Sequence, residues 1–182
     1  RLEIKAKVPV HALYKTWHMP DRLHKSYHAI DLLTDILSGG GSSRLYQTLV
    51  KEKKLFSNID GYHYGSTDNG LVAIEGKLAK GVKIEEAEKA VDELLIQVQE
   101  EPVSETELQK VKNKTESQMA FEDMGLMNRA SSLAYYETIG DASWMNTEFQ
   151  KYAAVTTQDI LEQSRNIFRT ENSNTMYYLA EK

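Results

Sequence analysis

Cysteine is absent from the 182-residue sequence. This absence excludes disulfide bonds, thiolate catalysis and zinc sites with cysteine ligands. Long apolar runs are also missing, since no stretch approaches the ~20 apolar residues that a membrane-spanning helix needs. The chain opens directly on a strand-like run without a signal-peptide pattern. We therefore expect no membrane span, and we expect the sequence to be a segment of a longer protein.

An excess of basic charge is missing as well. The chain carries 22 Lys and Arg against 27 Asp and Glu, which gives a net charge of -5. Nucleic acids and anionic lipids require a basic surface, so neither is expected as the main partner. Hydrophobic residues make up 41% and charged residues 27% of the chain, which is typical of a folded globular protein. The length predicts a single domain over residues 1–182.

Apolar residues alternate with polar ones at the start of the chain. Residues 2–8 show the period of a strand with one buried and one solvated face, and residues 12–19 form a second run rich in β-formers. Two further strand patterns, residues 56–64 and 71–78, are joined by Asp-Asn-Gly and predict a hairpin. Residues 175–180 predict a last strand.

Helical periodicity dominates the rest of the chain. Tyr27, Ile30, Leu33 and Leu37 form an apolar stripe, which three glycines end. The second half contains further helical patterns, with capping boxes at Ser104/Glu107 and Thr156/Asp159 and a break at Gly125. Strands and helices do not alternate regularly. The order therefore predicts an α+β fold, an antiparallel sheet with helices packed on one face.

His24, His28 and Asp31 share one helical face, as their spacings of four and three residues require. Two imidazoles and a carboxylate can hold zinc, cobalt or iron, which would suit a metallohydrolase. The opposite stripe of this helix is apolar, so we expect the histidine face to meet water. Neither HExxH nor HxxEH occurs in the chain. We therefore predict no metal site and no catalytic residue.

Two other features admit a binding role. Gly39–Gly41, followed by two serines and Arg44, resembles a phosphate-binding loop but lacks the P-loop lysine and follows a helix. We predict a structural turn there, with at least one glycine at positive φ. Aromatic and imidazole side chains on predicted strands, at residues 17–18 and 62–64, could line a pocket. Core packing is the more common role of such residues.

Residues 29–55, AIDLLTDILSGGGSSRLYQTLVKEKKL, resemble the start of the non-catalytic repeat domain of insulinase-like (pitrilysin-type) zinc peptidases. In that family an apolar helix leads to a Gly-rich turn, Ser-Ser-Arg-Leu and a Lys/Arg-Glu-Lys turn into a strand. The preceding strand, the later hairpin and the helices that follow continue the resemblance over nearly the whole chain.

The resemblance implies the α+β fold of mitochondrial processing peptidase, in which similar domains pair and enclose a chamber. It implies no cofactor in this chain and zinc in a homologous partner domain that carries HxxEH, on the same polypeptide or on another. Short or unfolded peptides would be the substrates. A bacterial protein of the periplasm or the cytoplasm is implied, and the sequence does not decide between these compartments.

Some non-catalytic domains of this family supply an Arg and, seven residues later, a Tyr that reach the substrate. Alignment on the Glu-Lys turn places these positions at Lys51 and Asn58. Both residues depart from the family pattern, which weakens the case for a direct catalytic contribution. The first hypothesis is therefore an inactive domain of a zinc metallopeptidase that helps to form the peptide chamber. The alternatives are a scaffold or binding domain of the same fold and an independent metallohydrolase that uses His24 and His28.

Overall fold

A single five-stranded sheet organises the computed structural model, which describes residues 1–181. The strands stand in the order β1-β5-β2-β4-β3. Their bounds are β1 Leu2–Ala6, β2 Ala12–Met19, β3 Phe56–Tyr64, β4 Gly70–Leu78 and β5 Ser173–Ala180. The predicted hairpin is confirmed, because β3 and β4 are antiparallel neighbours.

One pairing differs from the predicted antiparallel sheet, because β1 and β5 are parallel. The neighbouring pairs β5–β2 and β2–β4 are antiparallel. Strands β1 and β2 run in opposite directions, as in a hairpin, but β5 lies between them. A strand inserted between two antiparallel strands must be parallel to one of them. Sequence patterns could not reveal this insertion, since β5 lies more than 150 residues away along the chain.

Six α-helices and one π-helical segment are interspersed with the strands, in the α+β arrangement that the sequence predicts. Capping boxes begin α3 and α6 at Ser104 and Thr156, and Gly125 separates α3 from α4, as expected. The helices are α1 Tyr27–Ser38, α2 Ile84–Glu100, α3 Glu105–Glu122, α4 Leu126–Ile139, α5 Glu148–Ala154 and α6 Thr157–Ile167, and the π-helical segment is Tyr46–Glu52.

The core lies between the helices and one face of the sheet. On β2 the side chains of Leu13, Trp17 and Met19 are at most 2% exposed and belong to this core. Burying such large apolar side chains contributes about 1.5–3 kcal/mol each. Lys15 shares this face and is 5% exposed, and its ammonium binds the carboxylates of Glu88 and Asp92 on α2.

The surroundings of α1 contradict the expectation of a solvated histidine face for His28, whereas His24 is exposed and lies before the helix begins, so the two do not share one helical face. Nine of the twelve residues of α1 are buried, including His28. Helices α3, α5 and α6 all contact α1, so its polar stripe is covered as well as its apolar one. The reason is tertiary, because the apolar periodicity of α1 shows which stripe meets the sheet but does not show which helices cover the rest.

Within the described residues, no helix has the length and apolar character needed to cross a membrane.

Candidate functional site

The second face of the sheet is not covered by helices, and we call it the open face. Side chains alternate along a strand, so the residues between the core positions of β2 lie on this face. Tyr14 pairs in register with Glu75 of β4 and Met176 of β5, and His18 pairs with Leu71 of β4. The apolar and aromatic residues of the open face are Leu2, Ile4, Tyr14, Tyr62, Tyr64, Leu71, Met176 and Tyr178.

Several of these side chains meet solvent. Leu2 is 55% exposed, Ile4 is 37% exposed and Tyr64 is 62% exposed. The alternating pattern of β1 predicted one buried face, and this prediction is wrong, since residues 2–5 are all exposed. Strand β1 is at the sheet edge, and its two apolar residues lie on the open face. Exposed apolar side chains at both edges of an uncovered sheet face are typical of a contact surface.

Tyr62 joins two strands across the open face. Its hydroxyl donates to Oε2 of Glu75 at 3.1 Å, and its ring packs edge-on against Tyr64, with centroids 5.2 Å apart. Burial, with the hydrogen bonds to Tyr64 and Glu75, raises the pKa of Tyr62 well above its usual value. The phenol therefore remains protonated at neutral pH, and its one proton is donated to Glu75.

The two candidate substrate-contact residues stand at one end of β3. Asn58 is exposed on this edge strand just after a register irregularity, and its Nδ2 donates to Oδ2 of Asp60 at 2.7 Å. Lys51 is exposed near the end of the π-helical segment, with its Nζ 5.9 Å from the ring centroid of Tyr46. Both side chains are accessible. Their role in substrate contact stays a prediction.

The three candidate metal ligands bind different partners. Nδ1 of His24 lies 2.7 Å from Oγ of Ser26, whereas Nε2 of His28 lies 2.7 Å from Oε1 of Glu148. Asp31 accepts a hydrogen bond from the Tyr152 hydroxyl. Over residues 1–181, no group of three or more His, Asp and Glu side chains is arranged to hold a metal ion. The fold therefore does not assemble the metallohydrolase site that the helical spacing allowed.

A buried polar network replaces that site. Glu148 on α5 is 2% exposed and binds both Arg22 and His28, and its second oxygen accepts from Lys151 Nζ at 3.1 Å. Burial disfavours the carboxylate, but the hydrogen bonds from His28 and Arg22 outweigh it and hold the pKa of Glu148 at about 2. The guanidinium of Arg22 also stacks 4.3 Å from the ring centroid of Tyr27. No local pattern in the sequence indicates Glu148, because 120 residues separate it from His28.

The aromatic residues proposed for a pocket are divided between the two faces of the sheet. Trp17 is in the core, and His63 Nε2 lies 2.9 Å from the hydroxyl of Tyr27 on the helix side. Tyr62, Tyr64 and His18 lie on the open face. Adjacent residues on a strand point to opposite faces, so these side chains cannot form one pocket.

The glycine turn lies between α1 and the π-helical segment. Gly40 has φ +118°, which confirms that at least one glycine adopts a positive φ. A Cβ on Gly39 would overlap the carbonyl oxygen of Asp35, whereas nothing lies within 4 Å of a Cβ on Gly41. Arg44 follows the turn and binds Glu107 on α3 through two hydrogen bonds of 3.0 and 2.9 Å. These contacts agree with a structural role for the turn.

Known structures share this fold over almost the whole chain. A protease from Helicobacter pylori matches 97% of the chain with a TM-score of 0.90 and 20% identity, and the match covers 43% of the longer Helicobacter chain. An inactive peptidase domain from Bordetella parapertussis matches 98% of the chain and 95% of its own length, with a TM-score of 0.86 and 19% identity. A chain of Complex III2 from Candida albicans matches 97% of this chain and 45% of its own length, with a TM-score of 0.80 and 14% identity.

Sequence comparison assigns the family independently of the fold. No curated protein matches the chain. The family model described as Peptidase M16 inactive domain matches residues 1–115, which is more than half of the chain. The missing HxxEH motif agrees with that description. The chain belongs to the Peptidase M16 family, as its inactive domain.

Proposed function

We propose that this chain is the non-catalytic companion of an HxxEH-bearing zinc peptidase domain and that its open face forms part of the wall of a chamber that holds peptide substrates. The observation that carries the proposal is the uncovered sheet face with its tyrosine, leucine, isoleucine and methionine side chains. In this proposal residues 1–182 act as one inactive domain, and the companion is on the same polypeptide or on another.

The chemistry of the open face suits unfolded peptides. Exposed apolar and aromatic side chains such as Leu2 and Tyr64 gain by covering apolar peptide side chains, which folded proteins bury. The Asn58 amide adds a hydrogen-bond donor that does not depend on peptide sequence, since Asp60 uses one of its two N–H groups, and the Tyr62 oxygen can accept a hydrogen bond. Such a surface binds many peptides weakly and favours unfolded substrates over folded ones.

Catalysis is assigned to the companion domain. Peptide hydrolysis at neutral pH requires activated water, and a bound zinc ion supplies this in zinc peptidases. The described residues of this chain do not provide the clustered His, Asp and Glu side chains that would hold the ion. Zinc would therefore be held by the HxxEH motif of the companion, in the bacterial periplasm or cytoplasm.

A scaffold without any peptidase role is the second candidate. Two observations favour it: Lys51 and Asn58 stand where an Arg and a Tyr would be expected, and the fold also matches a chain of Complex III2 from Candida albicans. The first step that separates the two candidates is to locate an HxxEH segment in the same gene or in a neighbouring gene.

Co-expression with that HxxEH-bearing domain tests the proposal. The chain alone should not cleave a quenched fluorescent peptide library, whereas the assembled pair should cleave it, and a chelator should abolish the activity. Changing Tyr64 and Leu71 to Ser on the open face should lower kcat/KM about tenfold, since apolar contacts with the substrate are lost. Tyr135→Ser, an exposed tyrosine on α4, is the matched control and should leave kcat/KM unchanged. Equal activity of the open-face variant and the control would favour the scaffold.

A further inference from the structure

A cleft of about 470 Å³ lies among the helices, beside the buried network of Arg22, His28 and Glu148. The segment after β2, the end of α4 and the start of α5 surround it, so it is separate from the open face. We call it the α4–α5 cleft. Its lining residues are Arg22, Leu23, His24, Lys25, His28, Tyr136, Ile139, Trp144, Glu148, Lys151 and Val155. Its volume falls within the range of about 300–1,000 Å³ typical of small-molecule sites.

Positive charge is in excess in this cleft. Arg22, Lys25 and Lys151 are cationic, and Glu148 is the single carboxylate among the lining residues. Glu148 lies at the base and is already engaged by Arg22, His28 and Lys151. The cations thus exceed the carboxylates by two. An additional monoanion would be favoured there, whereas a cation would be repelled.

The cationic groups retain hydrogen-bonding capacity for a ligand. Lys151 is 44% exposed, and its ammonium has three N–H donors, one of which reaches Glu148 at 3.1 Å. Arg22 has five N–H donors, and its hydrogen bond to Glu148 uses one of them. Arg22 is held rigidly by this bond and by its stacking on Tyr27, so little side-chain freedom would be lost on binding.

Apolar side chains form the walls. Leu23 lines the cleft and is 56% exposed. The other apolar lining residues are Ile139 at the end of α4, Trp144 between α4 and α5, and Val155 just after α5. Lys151 Nζ lies 5.3 Å from the centroid of the Trp144 ring, which places a charge next to an aromatic surface. This arrangement matches a ligand that has an anionic group joined to an apolar body.

We propose that the α4–α5 cleft binds a carboxylate carried on an apolar body of about one residue, with the carboxylate at Lys151 and Arg22 and the apolar part against Leu23, Ile139 and Trp144. A free organic acid and the C-terminal residue of a peptide share this chemistry. A monoanion is favoured over a dianion, because a second negative charge would lie near the Glu148 carboxylate. This inference does not depend on the open face or on a companion domain.

Titration of the ¹⁵N-labelled chain, followed by amide and indole NMR signals, tests the proposal. The probes are N-acetyl-phenylalanine, its amide, and 3-phenylpropionate. We expect the free acids to shift the Trp144 indole and the Leu23 and Ile139 amides saturably, and the amide to bind at least about tenfold more weakly, because it lacks the charge-assisted hydrogen bonds. Tighter binding of N-acetyl-phenylalanine than of 3-phenylpropionate would identify a peptide C-terminus, and equal binding would identify a free acid.

Exposed positions allow variants that keep the fold. Lys151→Gln should weaken binding of the free acid about fivefold or more, and Leu23→Ser about threefold. Lys80→Gln is the matched control, since Lys80 is also exposed, precedes α2 and does not line the cleft. It should not change the affinity. Equal affinity for the acid and its amide, shifts that do not saturate or that map elsewhere, or unchanged binding by Lys151→Gln would each overturn the proposal.

Discussion

Arg44 and Glu107 join two elements that are 63 residues apart through a pair of parallel hydrogen bonds. Glu107 also completes the capping box of α3, because its carboxylate accepts from the backbone N–H of Ser104. The hydrogen bond from Arg44 and those from Ser104 hold the pKa of Glu107 at about 2 despite partial burial. One carboxylate therefore both begins α3 and ties it to the turn after α1.

Arg44→Ala should lower the free energy of unfolding by about 1 kcal/mol, since the bidentate pair is only a quarter to a third exposed. Urea unfolding followed by circular dichroism measures the change. Arg129→Ala is the control, because Arg129 lies 3.8 Å from Asp123 with both side chains more than half exposed, and its loss should have no measurable effect. Equal effects of the two variants would contradict a specific role for the Arg44–Glu107 pair.

Glu148 makes stability depend on acid pH. Its pKa is about 2 in the folded chain against 4.5 for the free side chain, so the unfolded state binds more protons between these values. Its contribution, on the order of 3 kcal/mol, is present above pH 4.5 and is lost as the pH falls towards 2. Glu148→Gln should therefore be clearly less stable than the wild type at pH 7, and the difference should shrink between pH 5 and pH 3. Urea titrations at each pH measure it, and a difference that stays constant with pH would contradict the assignment.

The three glycines of the turn should respond differently to valine. Gly39→Val forces its Cβ against the Asp35 carbonyl, and Gly40→Val places a β-branched residue at φ +118°. Each change should lower the free energy of unfolding by about 1 kcal/mol or more. Gly41→Val should remain within about 0.5 kcal/mol of the wild type, since its Cβ meets open space. Equal tolerance at all three positions, together with loss of phosphate binding by the variants, would favour the phosphate-loop alternative.

Lys51 and Asn58 should contribute little to catalysis in an assembled, active enzyme. A lysine presents a point charge where an arginine would clamp a carboxylate or carbonyl in two places, and the Asn58 amide is shorter than a tyrosine and already donates to Asp60. Lys51→Ala and Asn58→Ala should each lower kcat/KM by less than about tenfold, a loss below ~1.4 kcal/mol. A loss near 100-fold with folding intact would show that these positions still contact the reacting peptide.

Local sequence patterns predicted most elements because they report local physics. The capping boxes at Ser104 and Thr156 satisfy backbone donors within one turn. Gly125 separates two helices through its own local backbone preference, which does not depend on contacts with distant residues. The Asp-Asn-Gly turn similarly specified the β3–β4 hairpin. The family resemblance rested on the same kind of contiguous signal, residues 29–55, and the Peptidase M16 match over residues 1–115 confirms it.

The candidate surfaces required tertiary structure. Apolar alternation in β1 gave a strand but could not show that Leu2 and Ile4 lie on a face that no helix covers. The helical spacing of His24, His28 and Asp31 suggested a metal site, whereas the fold buries His28 against Glu148 from a helix 120 residues away.

By itself, then, the sequence determined most of the helices and strands, the turns and the family, because apolar spacing, helix caps and turn residues are properties of near neighbours. Only the tertiary structure decided that β5 inserts between β1 and β2, which sheet face remains open, and where Arg22, Glu148 and Lys151 meet beside the α4–α5 cleft. These features are set by which surfaces cover one another. Which surfaces pack together depends on burying the most apolar area over the whole chain, and this cannot be read from any short segment of the sequence.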